Sequence, residues 1–94
     1  MNNEVLSHKE RLINIIEQHP IYVENAKSLT GVKYDVYQVY SEEDQKLYRF
    51  WLRLHYVNSI LRSDKQLTQE ELNKLIFTVA NITSDYVMWK LESL

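Results

Sequence analysis

The chain has 94 residues, of which 45% are hydrophobic and 26% are charged, close to the globular averages of about 45–50% and about 25%. One glycine, one proline and no cysteine exclude collagen-like, low-complexity and disulfide-stapled chains. The net charge of −2 and the isoelectric point of about 5.9 argue against strong nonspecific binding to phosphates. No run approaches the ~20 apolar residues that span a bilayer, and no signal-peptide pattern opens the sequence. We therefore expect one helical domain over residues 1–94, in the cytoplasm and without a membrane contact.

Two short helices are predicted before residue 30. The first runs from about Asn3 to Gln18, with Ser7 and Glu10 spaced as a capping box. Pro20 ends this helix and suits the first position of the next, which continues to Leu29. The apolar positions at helical spacing are Leu12, Ile13, Ile15 and Ile16 in the first helix and Ile21, Tyr22, Val23, Ala26 and Leu29 in the second, with Gly31 as the residue after its end.

Residues 32–40 are compatible with two structures. Val32, Tyr34 and Val36 alternate as in a half-buried strand, and the residue types favour strands. Val32, Val36 and Val39 also form a helical stripe. A strand needs a partner, and an isolated hairpin is marginal in water. We therefore favour a helix and keep the strand as the alternative.

A long helix is predicted over Glu42–Arg62. Ser41 and Asp44 mark its start, and acids in the first turn with Arg62 in the last complement the helix dipole. Glu42 and Lys46 have the spacing of an ion pair. The predicted core stripe comprises Leu47, Phe50, Trp51, Leu54, Val57 and Leu61.

A second long helix is predicted over Gln69–Glu92. Thr68 and Glu71 have the spacing of a capping box, and Leu67 and Leu72 that of a hydrophobic staple. Its predicted core stripe comprises Leu72, Leu75, Ile76, Val79, Ile82 and Tyr86. We expect Trp51, Leu54, Leu75 and Val79 to be buried in one cluster. The short linker predicts a small all-α bundle built on a long antiparallel C-terminal hairpin, with two or three shorter N-terminal helices packed across it.

The sequence has no pattern typical of an active site, a cofactor site or a metal site. His8, His19 and His55 form no metal-ligand spacing, and we expect each to be an exposed or half-buried imidazole. The paired acids at residues 42–44 and 70–71 occupy first helical turns, where they complement the dipole. We therefore expect no enzyme activity, no cofactor and no bound metal.

Apolar residues outside the core stripes indicate a protein interface. They form one group on each long helix: Tyr48, Leu52 and Tyr56 on the first, and Phe77, Met88 and Leu91 on the second. The leading hypothesis is a small noncatalytic protein-binding module, such as a regulator, inhibitor or immunity-type protein, of bacterial or phage origin. Its partner is another protein or a second copy in a homodimer.

The alternative is a DNA-binding regulator, dimeric through its C-terminal helices. Residues 26–32 followed by Val36 and Tyr37 resemble the first helix, turn and recognition helix of a helix-turn-helix motif. That resemblance implies that Lys33, Tyr34, Tyr37 and Gln38 face a DNA groove. Asp35 and the single lysine of this segment count against it.

Overall fold

The structure is a computed structural model that describes the backbone of residues 3–29 and 42–94 and the side chains of residues 7–24 and 42–94. Within these ranges it contains four helices and no strand: α1 (Asn3–Glu17), α2 (Pro20–Leu29), α3 (Glu42–Arg62) and α4 (Gln69–Glu92). The predicted all-α class is confirmed. Residues 32–40, for which helix and strand were both considered, lie outside the described residues, as does Gly31.

The two N-terminal helices meet at Pro20, which is the first residue of α2 as predicted. The capping box assigned to Ser7 and Glu10 is wrong, because α1 already begins at Asn3 and both residues lie inside it. A serine before an acid marks a helix start only where the preceding backbone is not helical. Helix α1 therefore has one more turn than that signal indicated.

The two long helices have the predicted bounds. At the start of α4, Thr68 Oγ1 accepts a hydrogen bond from the Glu71 backbone N–H at 3.1 Å, and Glu71 Oε1 accepts one from the Thr68 N–H at 3.1 Å. This reciprocal pair confirms the predicted capping box. Leu67, just before the cap, packs against the core cluster that includes Leu72, as a staple requires.

One hydrophobic cluster joins the four helices, and most of the predicted stripe residues belong to it. Ile13, Tyr22, Trp51 and Leu75 are only partly buried, and Ile15, Val23 and Ile76 are exposed, which corrects the predicted apolar stripes at these positions. Ile15, Trp51 and Ile76 lie about 70–80° from the centre of the buried stripe of their helix, where contact with neighbouring helices ends. Leu75 lies near the centre of the α4 stripe, and its position on the helix does not explain its partial exposure. The buried hydrophobic residues are Leu12, Ile16, Ile21, Leu47, Phe50, Leu54, Val57, Leu61, Leu72, Val79, Ile82 and Tyr86.

The contacts between α3 and α4 pair the start of one helix with the end of the other. The Lys46 ammonium lies 5.7 Å from the centre of the Trp89 ring, and the Arg53 guanidinium bonds to Asp85 at 3.0 Å. Between them, the Phe50 and Tyr86 rings meet edge to face at 5.7 Å. This order is compatible with the predicted antiparallel hairpin. The predicted Glu42–Lys46 ion pair is absent from the described contacts, since the Lys46 side chain turns toward Trp89 instead.

Candidate protein-binding surface on helix α4

Helix α4 has an inward face in the core and an apolar face on the opposite side. Residues of the inward face, such as Leu72, Val79, Ile82 and Tyr86, are buried. On the other side, exposed residues recur at alternating spacings of three and four, which places them in one row along the helix. We call this row the outer face of α4; it comprises Phe77, Ala80, Ser84, Val87, Met88 and Leu91.

The large side chains of the outer face are open to solvent. Phe77 is 70% exposed, Met88 54% and Leu91 56%. These are the three residues that the sequence placed on this helix as partner-binding candidates. Ala80 and Ser84 are also exposed and small, so the middle of the row is narrower than its ends. The row can therefore accept another helix closely at its centre and contact it with larger side chains at both ends.

The outer face carries no charge of its own. Between Leu75 and Leu91, the only side chains that are charged at neutral pH are Asp85 and Lys90. Both have internal partners, because Asp85 bonds to Arg53 and the Lys90 ammonium lies 3.0 Å from Glu24 Oε2. An apolar partner can therefore cover this face without desolvating an unpaired charge.

Contacts with α2 and α3 fix α4 on its inward side. The Tyr86 hydroxyl donates a hydrogen bond to Glu24 Oε1 at 2.5 Å. Burial, together with this carboxylate, raises the pKa of the Tyr86 hydroxyl, so it remains a donor at neutral pH. The Lys90 ammonium also lies 4.8 Å from the centre of the Trp89 ring. These contacts hold α4 in one orientation and leave its outer face exposed to solvent.

The second predicted group, on α3, is less uniform. Tyr48 is half-buried and stacks on Trp51, with ring centres 5.8 Å apart and planes 14° apart. Leu52 and Tyr56 are exposed. Trp51 also stacks on His55 at 4.6 Å, so part of this aromatic surface is used within α3 itself. The α3 group therefore offers fewer free apolar side chains than the outer face of α4.

A row of cations follows α3 next to α4. Lys46, Arg49 and Arg53 recur at spacings of three and four, and with Phe50 they line a shallow cavity of about 260 Å³. We call these three cations the basic edge. Arg53 bonds to Asp85, whereas Arg49 forms no ion pair with any described residue. The proximity of these cations to α4 does not follow from the sequence, because it depends on how the two helices pack.

His19 has a structural role that the sequence analysis missed. It is buried, not exposed or half-buried as expected, and its Nδ1 accepts a hydrogen bond from the Ile21 backbone N–H at 3.1 Å. Its Nε2 lies 2.9 Å from Thr83 Oγ1. The ring therefore caps the start of α2 and joins that start to α4. The available signal was its place directly before Pro20, the predicted first residue of α2.

The structure adds no support for the other candidate sites. Lys33, Tyr34, Tyr37 and Gln38, the residues of the DNA-binding alternative, lie outside the described residues. Among the side chains that the structure describes, those of residues 7–24 and 42–94, no three His, Asp or Glu cluster in a way that could hold a metal ion. None of the helices described is long and apolar enough to cross a membrane.

Comparisons with protein families, with curated protein sequences and with solved structures find no match to this chain. The surfaces of the fold are therefore the basis of the functional proposal.

Proposed function

We propose that this chain is a small noncatalytic protein-binding module and that the outer face of α4 is its binding surface. The observation that carries the proposal is the row of exposed apolar side chains on α4, whose two nearby charges both have partners within the fold. Isolated exposed apolar residues are ordinary, but a continuous row of them is typical of an interface. The cysteine-free composition suits a reducing compartment, so the proposal places this binding in the cytoplasm.

The exposed side chains are large enough for their burial by a partner to contribute substantially to the free energy of binding. Phe77 is 70% exposed, and an aromatic side chain buries about 150–250 Å² in total. A partner that covered the rest of Phe77 would remove about 100–170 Å² from water, worth about 3–4 kcal/mol at about 25 cal/mol per Å². Phe77 is thus large enough to act as an interface hot spot, with Met88 and Leu91 extending the contact along the row.

Two of the groups that could serve catalysis already have structural roles. His19 is occupied by its bonds to Ile21 and Thr83, and Glu71 by its bonds to the Thr68 cap and to Lys65 at 3.0 Å. A catalytic base needs a free position toward a substrate. These occupied side chains support a binding role over an enzymatic one.

The test compares substitutions on the outer face with a matched substitution elsewhere. Phe77→Lys and Met88→Lys place a charge on the outer face, while Ile15→Lys makes the same kind of change at an exposed position of α1. Each variant is first checked for unchanged far-UV circular dichroism. These four proteins and Leu52→Lys are then used for affinity capture from native cell extract, with and without nuclease treatment, and for sedimentation velocity at rising concentration.

We expect a protein partner, or a second copy of the chain, to bind wild type and Ile15→Lys. Phe77→Lys should weaken that binding by about thirtyfold or more, the effect of losing a hot-spot residue. The proposal is wrong if both outer-face variants bind every partner as wild type does. Binding that disappears only after nuclease treatment favours the DNA-binding alternative, and loss in Leu52→Lys alone favours the α3 group.

A further inference from the structure

The basic edge lies directly beside the Met88 end of the outer face. Arg53 bonds to Asp85, and the Lys46 ammonium lies 5.7 Å from the Trp89 ring. Asp85 and Trp89 flank Met88 on α4, one three residues before it and the other next to it. The apolar row and the row of cations are therefore adjacent strips of one surface.

The basic edge has positive charge available for a partner. Its three cations span eight residues of α3, or about 10 Å along the helix axis, which is the length of two turns of a partner helix. Arg49 has no ion pair with a described residue, and Lys46 contacts an aromatic ring and no carboxylate. The third cation, Arg53, contacts a carboxylate that is itself 59% exposed. That pair occupies Arg53, so the positive charge available to a partner comes from Lys46 and Arg49.

We propose that the partner of the outer face is an amphipathic helix of another protein that carries acidic residues along one edge. Its apolar side covers Phe77, Met88 and Leu91, and its acidic edge lies against Lys46 and Arg49, the two cations of the basic edge that have no ion pair with a described residue. Charge complementarity of this kind fixes the orientation and register of a docked helix. This inference rests on the proposed function, because it assumes that the outer face binds a helix.

A second copy of the chain is a poorer occupant of this surface. Between Leu75 and Leu91, the α4 helix of a second copy carries Asp85 as its only acid. That carboxylate is already bonded to Arg53 of its own chain. A second copy can thus cover the apolar row, but it supplies little negative charge to the basic edge.

The experiment uses a displayed library of helical peptides with a fixed leucine stripe and randomised residues along both edges of that stripe. The library is selected against the full chain in four forms: wild type, Met88→Lys, Arg49→Glu and Arg11→Glu. Arg11 is exposed on α1 and has no ion pair with a described residue, so its substitution is a control for the change in charge. Circular dichroism and urea midpoints establish that all four forms are folded.

We expect peptides selected on wild type to carry Asp or Glu along one edge, and their binding to weaken as salt is added. Arg49→Glu should weaken these peptides by about tenfold or more and shift the selection toward Lys and Arg, while Arg11→Glu leaves both unchanged. Arg49→Lys should restore most of the binding, which separates a charge effect from a loss of packing.

The outcomes distinguish this inference from the proposed function. The acidic-helix inference is wrong if the selected peptides require Met88 but have no acidic edge, or if Arg49→Glu does not change their affinity. In either case the outer face remains a binding surface. If no peptide is enriched, or binding survives Met88→Lys, the acidic-helix inference is wrong, and the capture experiment with Phe77→Lys and Met88→Lys decides separately whether the outer face binds a protein. Displacement of the peptides by duplex DNA with Arg49-dependent affinity also overturns the inference, since the basic edge then serves a nucleic acid.

Discussion

His19 Nε2 donates a hydrogen bond to Thr83 Oγ1 across 2.9 Å, linking residues 64 positions apart. The direction of this bond follows from the neighbouring contacts. The Ile21 N–H donates to His19 Nδ1, so the neutral ring carries its proton on Nε2. Thr83 Oγ1 in turn donates to the Val79 carbonyl oxygen at 2.8 Å. A single neutral imidazole therefore holds the start of α2 against the middle of α4.

The stability of the fold should decrease as this imidazole becomes protonated. Burial lowers the pKa of His19 in the folded chain, so the unfolded chain binds more protons in the window below the ordinary histidine pKa of about 6.5. The stabilising contribution is complete above that value and is lost as the pH falls through the lower, folded pKa. Urea midpoints measured from about pH 7.5 down to about pH 5 should therefore decrease.

The control for this prediction is His19→Asn. An asparagine side chain can also accept the Ile21 N–H at a helix start, but it does not titrate. His8 and His55 are exposed and remain in both proteins. If the pH dependence in this window is identical in wild type and His19→Asn, the assignment of the effect to His19 is wrong.

Removal of the α4 cap should destabilise the chain measurably. Thr68→Ala deletes the oxygen that accepts the Glu71 N–H, and such losses cost about 0.5–2 kcal/mol of unfolding free energy. Thr78→Ala is the matched control, because Thr78 is exposed inside α4 and bonds only to the Lys74 carbonyl there. Urea denaturation should show a loss for Thr68→Ala and no loss for Thr78→Ala. Equal stabilities would mean that the cap contributes nothing.

Two leucines of α3 should respond very differently to truncation. Leu54 is 0% exposed, whereas Leu52, two positions away, is 42% exposed. Leu54→Ala leaves a cavity and should cost about 2–5 kcal/mol, while Leu52→Ala should stay within about 0.5 kcal/mol of wild type. Urea midpoints measure both. Similar costs would show that the orientation of α3 described here is wrong.

The pKa values of two carboxylates should each depend on one neighbouring cation. Hydrogen bonds from Asn58 and Arg62 lower the pKa of Glu17, and hydrogen bonds from Thr68 and Lys65 lower that of Glu71. Removing one cation should raise the pKa of its own carboxyl, because the charged form loses a partner. Side-chain carboxyl NMR titration should show Arg62→Gln raising the Glu17 pKa alone and Lys65→Gln raising the Glu71 pKa alone. A crossed or missing response would contradict these pairings.

The bounds of α3 and α4 were predictable because their signals are local. The Thr68–Glu71 box and the acids after Ser41 act within one helical turn, and the apolar stripes identify the buried side of each helix. Ser7 has the same local signal but lies inside α1, where the helical backbone before it removes the need for a cap. A capping-box pattern does not indicate whether the residues before it are helical.

The roles of His19 and Asn58 were not predictable, because their partners are distant in sequence. His19 bonds to Thr83, and the Asn58 side-chain amide donates to Glu17 Oε2 at 3.1 Å. Neither pairing follows from helical spacing on one segment. The outer face of α4 could be identified in part from the sequence, because Phe77, Met88 and Leu91 belong to one helix and lie outside its apolar stripe. The basic edge required knowledge of how α3 packs beside that helix.

The two faces of α4 differ in what they contribute to folding. Asp85, Lys90 and the Tyr86 hydroxyl all bond to residues of α2 or α3. By contrast, Phe77, Met88 and Leu91 are exposed and fill no part of the buried core. Substitutions at the exposed positions therefore carry little penalty in stability. During evolution, or in the laboratory, the chemistry of this outer surface can therefore change while the four-helix scaffold stays the same.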